Sequence, residues 1–459
     1  MKKTIYGILL IVLVVISACG NFTDIEPKGM NLLNRVTDLD QLLNYRYLNG
    51  VFGVGDCSIL INDAYPTLNI PNEISRPVKT LRTALLTWDE RINRAELSTS
   101  DTKYELYYRI IGRVANPVLL QVDDAEGDRV LAMQLKAEAY VLRAWFHYLA
   151  VNVFAKAYNP TTTATDPGIP YVKEHDLLSV PSKKYTVQEV YDFILADLRA
   201  ALELNSLPNE ATNLMRVSLP FAYAVEAQVR MSMHDFSGAW QAAEKSLAIK
   251  NTIDDHRPFV GETFARPELQ STEDLFFAGQ AYIMMIAPTP ELSAVFEPGS
   301  IFNNTISKMN ERGPAMFGLT TDVIYSLTTY LCGSGLTTVD MNLVCAECKL
   351  RSGDISGTME IINHIREYRI DPAMYAPLTA ANATEAFAAL KKSWRTENWC
   401  GPKNFINLKR WNTEAAYKET LRKTLLGVNY ELPPDSPLWI FPFPQNAIAY
   451  NPNLTQNYE

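Results

Sequence analysis

The chain has 459 residues, of which 47% are hydrophobic and 20% are charged, and its formal net charge is −9. The apolar content is that of a globular protein and excludes wholesale disorder, and the length corresponds to roughly two to four domains or one large one. The acidic balance, with no run of basic residues, excludes recognition of nucleic acid through a basic surface. Six cysteines in a chain of this length do not indicate a disulfide framework.

The first twenty residues predict export and lipid attachment. Two lysines precede an apolar run from Ile5 to Ile16, which is too short for a membrane span and fits the core of a signal peptide. Small residues then lead to Cys19, a pattern that resembles the cleavage and diacylation site of bacterial lipoproteins. We therefore expect a signal peptide at residues 1–18 and a lipid on Cys19 that anchors the mature protein to a membrane outside the cytoplasm. An ordinary signal peptide with an incidental cysteine is the alternative.

Amphipathic helices dominate the prediction for the remainder of the chain. Apolar residues recur every three or four positions, and Thr186 with Glu189 forms a capping-box pattern at one helix start. The predicted helices span residues 104–122, 128–153, 186–204, 218–233, 236–249, 340–351, 355–369, 383–394 and 413–425. We expect a loop at 161–170, long loops with short helices at 255–330, and a mostly extended tail from Pro433.

One internal repeat relates two of the predicted helix pairs. Residues 225–239 align without a gap on residues 344–358, and both copies place an aspartate, Asp235 or Asp354, at the turn between two helices. This arrangement is typical of tetratricopeptide repeats, whose helix pairs bury their faces by stacking. Because the copies are not contiguous, we predict a mainly α fold, a tetratricopeptide-like superhelix of helix pairs that carries irregular, loop-rich insertions.

The sequence contains no recognisable catalytic or metal-binding motif. The five histidines are scattered, and there is no zinc-binding His-Glu-x-x-His pair, phosphate-binding loop or nucleophile elbow. Cys345 and Cys348 form a C-x-x-C pattern, but the other repeat copy has Glu226 and Val229 at the aligned positions, so we interpret both cysteines as packing residues. The sequence therefore predicts no cofactor and no metal site, and nothing in it supports an enzyme.

Six ordered motifs between residue 24 and the end of the chain resemble those of SusD/RagB-family outer-membrane lipoproteins of Bacteroidetes. The motifs are Asp24–Gly29, Lys136–Leu149, Gly168–Val172, Tyr185–Tyr191 with Asp197 and Leu198, Phe405–Trp411, and the tail Leu438–Pro444 with Asn451–Asn457. The resemblance implies a single SusD-like domain at 19–459, with an N-terminal part at about 19–335 and a C-terminal part at about 336–459. It also implies a fold of four tetratricopeptide-like helix pairs with an irregular region packed on one side.

The resemblance further implies a function. Such a protein faces the cell exterior on the outer membrane, captures a nutrient and passes it to a SusC-like TonB-dependent transporter, over which it lies as a lid. The ligand is a glycan in most members and a peptide in some, and the protein is not an enzyme.

Ligand contacts in this family come from two segments, which correspond here to roughly residues 55–100 and 260–335. Aromatic rings pack against the apolar faces of sugar rings, and polar side chains bind the hydroxyls. The candidate ligand-binding residues are Asn62, Asp63, Tyr65 and Trp88 in the first segment and Tyr282, Tyr325 and Tyr330 in the second, which also contains Phe302 and Phe317. Core packing is the alternative for Trp88 and the three tyrosines of the second segment, and capping of a turn is the alternative for Asp63.

A second set of aromatic residues lies in helix patterns or in a family core motif. We assign these residues to packing: Trp145, Phe146, Tyr148, Trp240 and Trp411.

Three other functions remain open at this point. The same architecture could bind peptides, the repeats and the anchor could serve a surface scaffold that binds no nutrient, and a surface hydrolase is the last possibility. Neighbouring genes for a transporter, glycosidases or peptidases, or release of product from a substrate, would distinguish them.

Overall fold

A computed structural model of the chain describes residues 33–47, 55–67, 69–173, 182–261, 271–279, 285–286, 288–308, 325–326, 332–399 and 401–458. Helices account for most of its regular structure, which confirms the predicted mainly α class. The N-terminal helices are α1 (Val36–Leu43), α2 (Asp56–Leu60), α3 (Ile70–Ser75), α4 (Leu81–Thr87), α5 (Arg94–Leu97), α6 (Thr102–Ile110), α7 (Asn116–Gln121), α8 (Arg129–Phe154) and α9 (Val187–Glu203). The others are α10 (Leu219–Ser232), α11 (Phe236–Ile249), α12 (Pro290–Ser293), α13 (Ile301–Lys308), α14 (Thr338–Arg351), α15 (Ile355–Glu367), α16 (Ala383–Glu397), α17 (Lys403–Trp411) and α18 (Gln445–Tyr450).

The strands of the described chain are short and pair two by two. Each pair is antiparallel, as expected for strands joined by short turns or drawn from separate insertions. The pairs are β1 (Pro167–Pro170) with β2 (Lys184–Thr186), β3 (Asp274–Phe276) with β6 (Leu336–Thr337), β4 (Met285–Ile286) with β5 (Tyr325–Ser326), and β7 (Leu421–Leu425) with β8 (Val428–Leu432).

Helix α8 runs through the centre of the fold. Asp128 caps its first turn, and its C-terminal half is buried on every side. Arg143 on this helix makes a two-point ion pair at 2.7 Å with Asp197 of α9. His147 is fixed as a neutral ring, because its Nε2 accepts from the Val172 amide while its Nδ1 donates to the Arg143 carbonyl. Burial lowers the pKa of His147 to about 3.

The two repeat copies have the same turn between their helices. Asp235 begins α11 by accepting from the Gly238 amide at 2.9 Å, and Asp354 begins α15 by accepting from the Gly357 amide at 2.8 Å. The glycines are needed because a Cβ at Gly238 would lie 2.3 Å from the Asp235 carboxylate, and the same holds at Gly357. The internal repeat therefore encodes a helix cap. Its two copies contribute the helix pairs α10–α11 and α14–α15, which pack against each other.

A basic residue five positions before each aspartate completes the turn. Arg230 donates to Asp235 at 2.6 Å, and Lys349 donates to Asp354 at 2.8 Å. The conservative change between Arg230 and Lys349 in the repeat thus preserves the same contact.

A buried ionic cluster joins the second repeat copy to α17. The Glu347 carboxylate accepts from Arg410 at 2.7 Å, from Arg351 at 2.9 Å and from the indole of Trp411 at 3.0 Å. Although burial opposes ionisation, the two arginines lower the pKa of Glu347 to about 2. Arg410 and Trp411 end the predicted motif at 405–411, so this motif forms part of the core.

Most of the predicted helices are confirmed, including the capping box at Thr186 and Glu189. The prediction of a helix over 413–425 is wrong, because the chain forms the hairpin β7–β8 there. Leu426 and Gly427 both adopt left-handed backbone angles at its tip, which is the geometry of a two-residue hairpin turn. The tail from Pro433 carries a 3-10 turn (Pro437–Trp439) and α18, so it is less extended than predicted.

The end of the chain is bonded to the core through its side chains. Asn457 donates to the carbonyls of Phe154 and Gly168 at 2.7 and 2.8 Å, and Gln456 bonds to the backbone of Phe443 in both directions. The polar tail motif at 451–457 therefore provides hydrogen-bond donors for backbone carbonyls at the end of α8 and in β1.

The packing assignments made from the sequence hold. Trp145, Phe146, Tyr148 and Trp411 are buried, and Trp240 is partly buried against the core. Cys345 and Cys348 are buried free thiols, the second lying 3.7 Å from the Met231 sulfur. Among the helices that the structure describes, none is long and apolar enough to cross a membrane.

Candidate functional site

A cavity lies between the C-terminal helices α15 and α16 and the insertion that carries α12 and α13. Three aromatic side chains that contact one another line it. The ring of Phe302 lies 5.7 Å from that of Phe296 in a stacked arrangement and 5.9 Å from that of Trp399. The cavity volume is about 120 Å³, below the roughly 300–1,000 Å³ of pockets that enclose a drug-sized ligand. It can therefore hold one ring or one end of a ligand.

Helix α16 supplies a polar stripe to the cavity lining. The residues Lys392, Ser393, Thr396 and Glu397 line the cavity together with Ala389, at the three- and four-residue spacing that keeps side chains on one helix face. The hydroxyl of Ser393 donates to the Ala389 carbonyl at 3.0 Å, and that of Thr396 donates to the Ser393 carbonyl at 3.2 Å. Both hydroxyl oxygens keep lone pairs with which to accept hydrogen bonds.

Arginines of α15 and of the residues that follow it neutralise most of the acids in the cavity wall. Arg366 binds Glu297 at 2.8 and 2.7 Å, and these hydrogen bonds lower the pKa of Glu297. Arg369 binds Glu273 at 2.7 Å and Glu397 at 3.1 Å. Burial raises the pKa of Glu397, against the opposing effect of Arg369. These pairs give the cavity a rigid polar rim.

The predicted ligand residue Asp63 is completely buried beside this region. Its carboxylate accepts from Arg395 of α16 at 2.6 Å and from Asn404 of α17 at 3.1 Å. Burial raises the pKa of Asp63, although Arg395 opposes the shift. Its backbone carbonyl accepts from the amide of Thr289, next to α12. Asp63 thus connects the first predicted segment to the second and to α16, and we assign it a positioning role in this geometry.

Asn62 shares this role through its backbone. It adopts a left-handed conformation with φ of 61°, which asparagine tolerates better than most residues. Its carbonyl accepts from the Thr289 hydroxyl at 2.6 Å and from Arg395 at 3.0 Å. The neighbouring Tyr65 is half-buried against the core.

Trp88 is also buried, with 6% of its surface exposed. Its indole donates to the Leu60 carbonyl at 2.8 Å, and the Lys423 amine of β7 lies 3.9 Å from the ring centroid. Burial lowers the pKa of Lys423 to about 7. An open groove of about 590 Å³ runs beside Trp88 and Tyr430, so the Trp88 edge borders a surface that is separate from the cavity.

The structure does not bring all the predicted residues together. Tyr282, Tyr330, Phe317 and the proposed lipid site Cys19 lie outside the described residues. Tyr325 begins strand β5, which pairs with β4, and its side chain is not among those described. Phe302 is the aromatic residue of the second predicted segment that lines the cavity.

Two aromatic residues of the cavity were missed. Phe296 lies within the second predicted segment, where its Phe-Glu-Pro-Gly context reads only as a turn. Trp399 follows α16, far along the chain from either predicted segment. The polar stripe on α16 was readable as a helix face, but its orientation toward the insertion depends on the tertiary fold.

The arrangement of these residues is suited to binding. The aromatic side chains can pack against an apolar ring face, and the polar stripe of α16 offers hydroxyl acceptors and a lysine donor. Within the described part of the chain, no cluster of three or more histidine, cysteine or acidic residues could hold a metal ion.

Two family models match the chain. A model described as starch-binding and associating with the outer membrane matches residues 28–231, and the SusD family model matches residues 338–459. A search of curated proteins found no match.

Solved structures with the same fold cover nearly the whole chain. A SusD superfamily protein from Bacteroides thetaiotaomicron is similar with a TM-score of 0.69 and 16% identity, over 92% of this chain and 99% of that one. A SusD-like carbohydrate binding protein from Bacteroides vulgatus has a TM-score of 0.63 and 13% identity, over 92% and 98%. Surface glycan-binding protein A from Bacteroides fluxus has a TM-score of 0.64 and 18% identity, over 93% and 97%. The two family models together match most of the chain, which belongs to the SusD family.

Proposed function

We propose that this protein captures a glycan at the cell surface and passes it to a SusC-like TonB-dependent transporter in the outer membrane. The observation that carries the proposal is the cavity that Phe296, Phe302 and Trp399 line together with the polar stripe of α16. Sugar rings have apolar faces edged by hydroxyls, and this cavity offers an aromatic contact and hydrogen-bonding groups across a short span.

The size of the cavity limits how much of a ligand it can enclose. A volume of about 120 Å³ accommodates one ring or chain end and leaves the rest of a polysaccharide outside. Glycan is favoured over peptide because the rim presents side-chain hydroxyls and charges, and the described backbone around it is engaged in helices and turns. The ion pairs between the glutamates of the wall and its arginines support a role in binding.

The lipid on Cys19 and the transporter are part of the same proposal. A diacylated, N-acylated cysteine exceeds the two-signal requirement for stable membrane anchoring. We expect Cys19→Ala to release the protein from the membrane fraction. Retention of this variant in the membrane would contradict the anchor.

The test of ligand capture is isothermal calorimetry of the purified full chain against a panel of polysaccharides and a mixed peptide digest. Saturable heat with one class of polysaccharide supports the proposal. Saturable heat with peptides alone would replace glycan by peptide as the ligand, and heat with neither would contradict capture by this chain alone.

The test of transfer is affinity purification of the protein from detergent-solubilised outer membranes. We expect a TonB-dependent transporter to co-purify in equal proportion. A stable complex that contains other surface proteins and no transporter would instead favour a scaffold.

A further inference from the structure

Among the described residues that line the cavity, four carry a fixed positive charge, and three of them have a carboxylate partner. Lys403 donates to Asp340 at 2.7 Å, Arg366 binds Glu297, and Arg369 binds two glutamates. Each of these cations is at most a tenth exposed and is held by its own acid. These three groups are therefore neutralised within the protein wall.

The fourth cation, Lys392, has no such partner. It is half-buried on the polar stripe of α16, and it makes no hydrogen bond or ion pair with the residues that the structure describes. Its electrostatic neighbour is Glu297, and both oxygens of that carboxylate are already bound by Arg366. Lys392 thus brings to the cavity a positive charge, and its acidic neighbour Glu297 is already paired.

Lys392 and the hydroxyl-bearing residues Ser393 and Thr396 lie close together on α16. Thr396 lies four residues further along α16, which is about 6 Å along the helix axis, and Ser393 lies between them. The hydroxyl donors of Ser393 and Thr396 are used within the helix, so each side chain faces the cavity as an acceptor. An ammonium donor and two hydroxyl acceptors therefore line one cavity from neighbouring positions of α16.

We propose that the ligand is an acidic glycan, and that Lys392 binds the carboxylate or sulfate group of a sugar ring held in the cavity. The ring packs against Phe302 and Trp399, and its hydroxyls donate to Ser393 and Thr396. This inference rests on the proposed capture of glycans and names the class of glycan. A half-buried ammonium group favours an anion over a neutral hydroxyl, because charge-assisted hydrogen bonds are roughly twice as strong as neutral ones.

The test compares matched polysaccharides that differ only in charge. Polygalacturonate is titrated against its methyl ester to probe a carboxylate, and dextran sulfate against dextran to probe a sulfate, each by calorimetry with the full chain. We expect one acidic member to bind at least about tenfold more tightly than its neutral counterpart, and we expect this preference to weaken as salt is raised. The pair that shows the preference identifies the anion.

Variants of two adjacent lysines provide the control. Lys392→Gln should abolish the preference for the acidic polysaccharide, and Lys392→Arg should retain it. Lys391→Gln should leave binding unchanged, because Lys391 pairs with Glu419 at 2.7 Å and does not line the cavity.

The outcomes separate this inference from the proposed function. Tight binding of a neutral polysaccharide that Lys392→Gln does not alter would overturn the acidic class and leave glycan capture standing. Tight binding of an acidic polysaccharide that Lys392→Gln does not alter would overturn the role of Lys392. Binding of peptides and of no polysaccharide would overturn both.

Discussion

The turns at Asp235 and Asp354 and the cavity at Phe302 are assembled in different ways. Each turn takes its aspartate, its glycine and its basic residue from one short stretch of chain. The cavity combines an insertion, the helix pair α15–α16 and the residues after α16, which meet only in the folded molecule. The scaffold is thus specified locally and repeated, whereas the site is specified once and at long range. The site can therefore change its ligand without altering the repeated turns.

The largest effect is expected where the two repeat copies differ. Gln228 and Glu347 occupy aligned positions, and Glu347 binds the buried Arg410 and Trp411. Glu347→Gln makes the copies alike and leaves Arg410 without a counter-charge, so we expect a loss of about 3–5 kcal/mol in the free energy of unfolding, measured in urea. The exposed pair of Arg422 and Glu431 is the control, and Glu431→Gln should cost less than about 1 kcal/mol.

The same variant has a signature in pH. The pKa of Glu347 is lowered to about 2 in the folded protein, so its ionised form stabilises the fold above the ordinary pKa of a glutamate. This contribution is lost as the pH falls toward about 2. The wild-type protein should therefore lose more stability than Glu347→Gln between neutral pH and pH 3. Equal losses would show that Glu347 does not stabilise the fold by its charge.

The next largest loss of stability is expected at Asp63, which connects the helices α16 and α17 to the first predicted segment. Asp63→Ala removes the partner of Arg395 and Asn404 and leaves their donors unsatisfied. We expect a loss of about 2–4 kcal/mol, less than for Glu347 because a quarter of the Arg395 side chain is exposed. Weakened ligand binding with unchanged stability in urea would instead identify Asp63 as a direct ligand contact.

A third variant acts on the site and spares the scaffold. Phe302→Ala removes the ring that lies between Phe296 and Trp399, and we expect at least a tenfold loss of glycan affinity in calorimetry. The melting temperature should change little, because Phe302 is only partly buried. Trp240→Ala, on the helix pair α10–α11, is the matched aromatic control and should leave affinity unchanged. Reduced affinity in both variants would point to a general loss of structure.

The smallest losses of stability are expected for the two aspartates that cap α11 and α15. Asp235→Ala and Asp354→Ala each remove a bond to a glycine amide at the start of a helix, and each should cost about 1 kcal/mol. Because each aspartate forms its hydrogen bonds within its own turn, the double variant should cost about the sum. Glycan affinity should not change in any of the three proteins. A double variant that costs much more than the sum would indicate that the repeats do not act independently.

Features formed by contacts within a short stretch of chain could be predicted from the sequence, and features formed by long-range contacts could not. Asp235 and the capping box at Thr186 were predictable because the contacts lie within four residues. The hairpin at Leu426 was missed because its alternating strand residues also fit a helical pattern over a short stretch, and its turn has leucine in the place where asparagine is usual. Trp399 could not be assigned, since only the tertiary fold brings it to Phe302.

The central claim is that glycan binds in the cavity between α16 and the insertion. A crystal structure of the protein with a bound oligosaccharide, chosen from the calorimetric panel, tests it most directly. We predict a sugar ring in contact with Phe302 and Trp399 and within hydrogen-bonding distance of Lys392. A ligand located in the groove beside Trp88 and Tyr430, with the cavity left empty, would contradict the account.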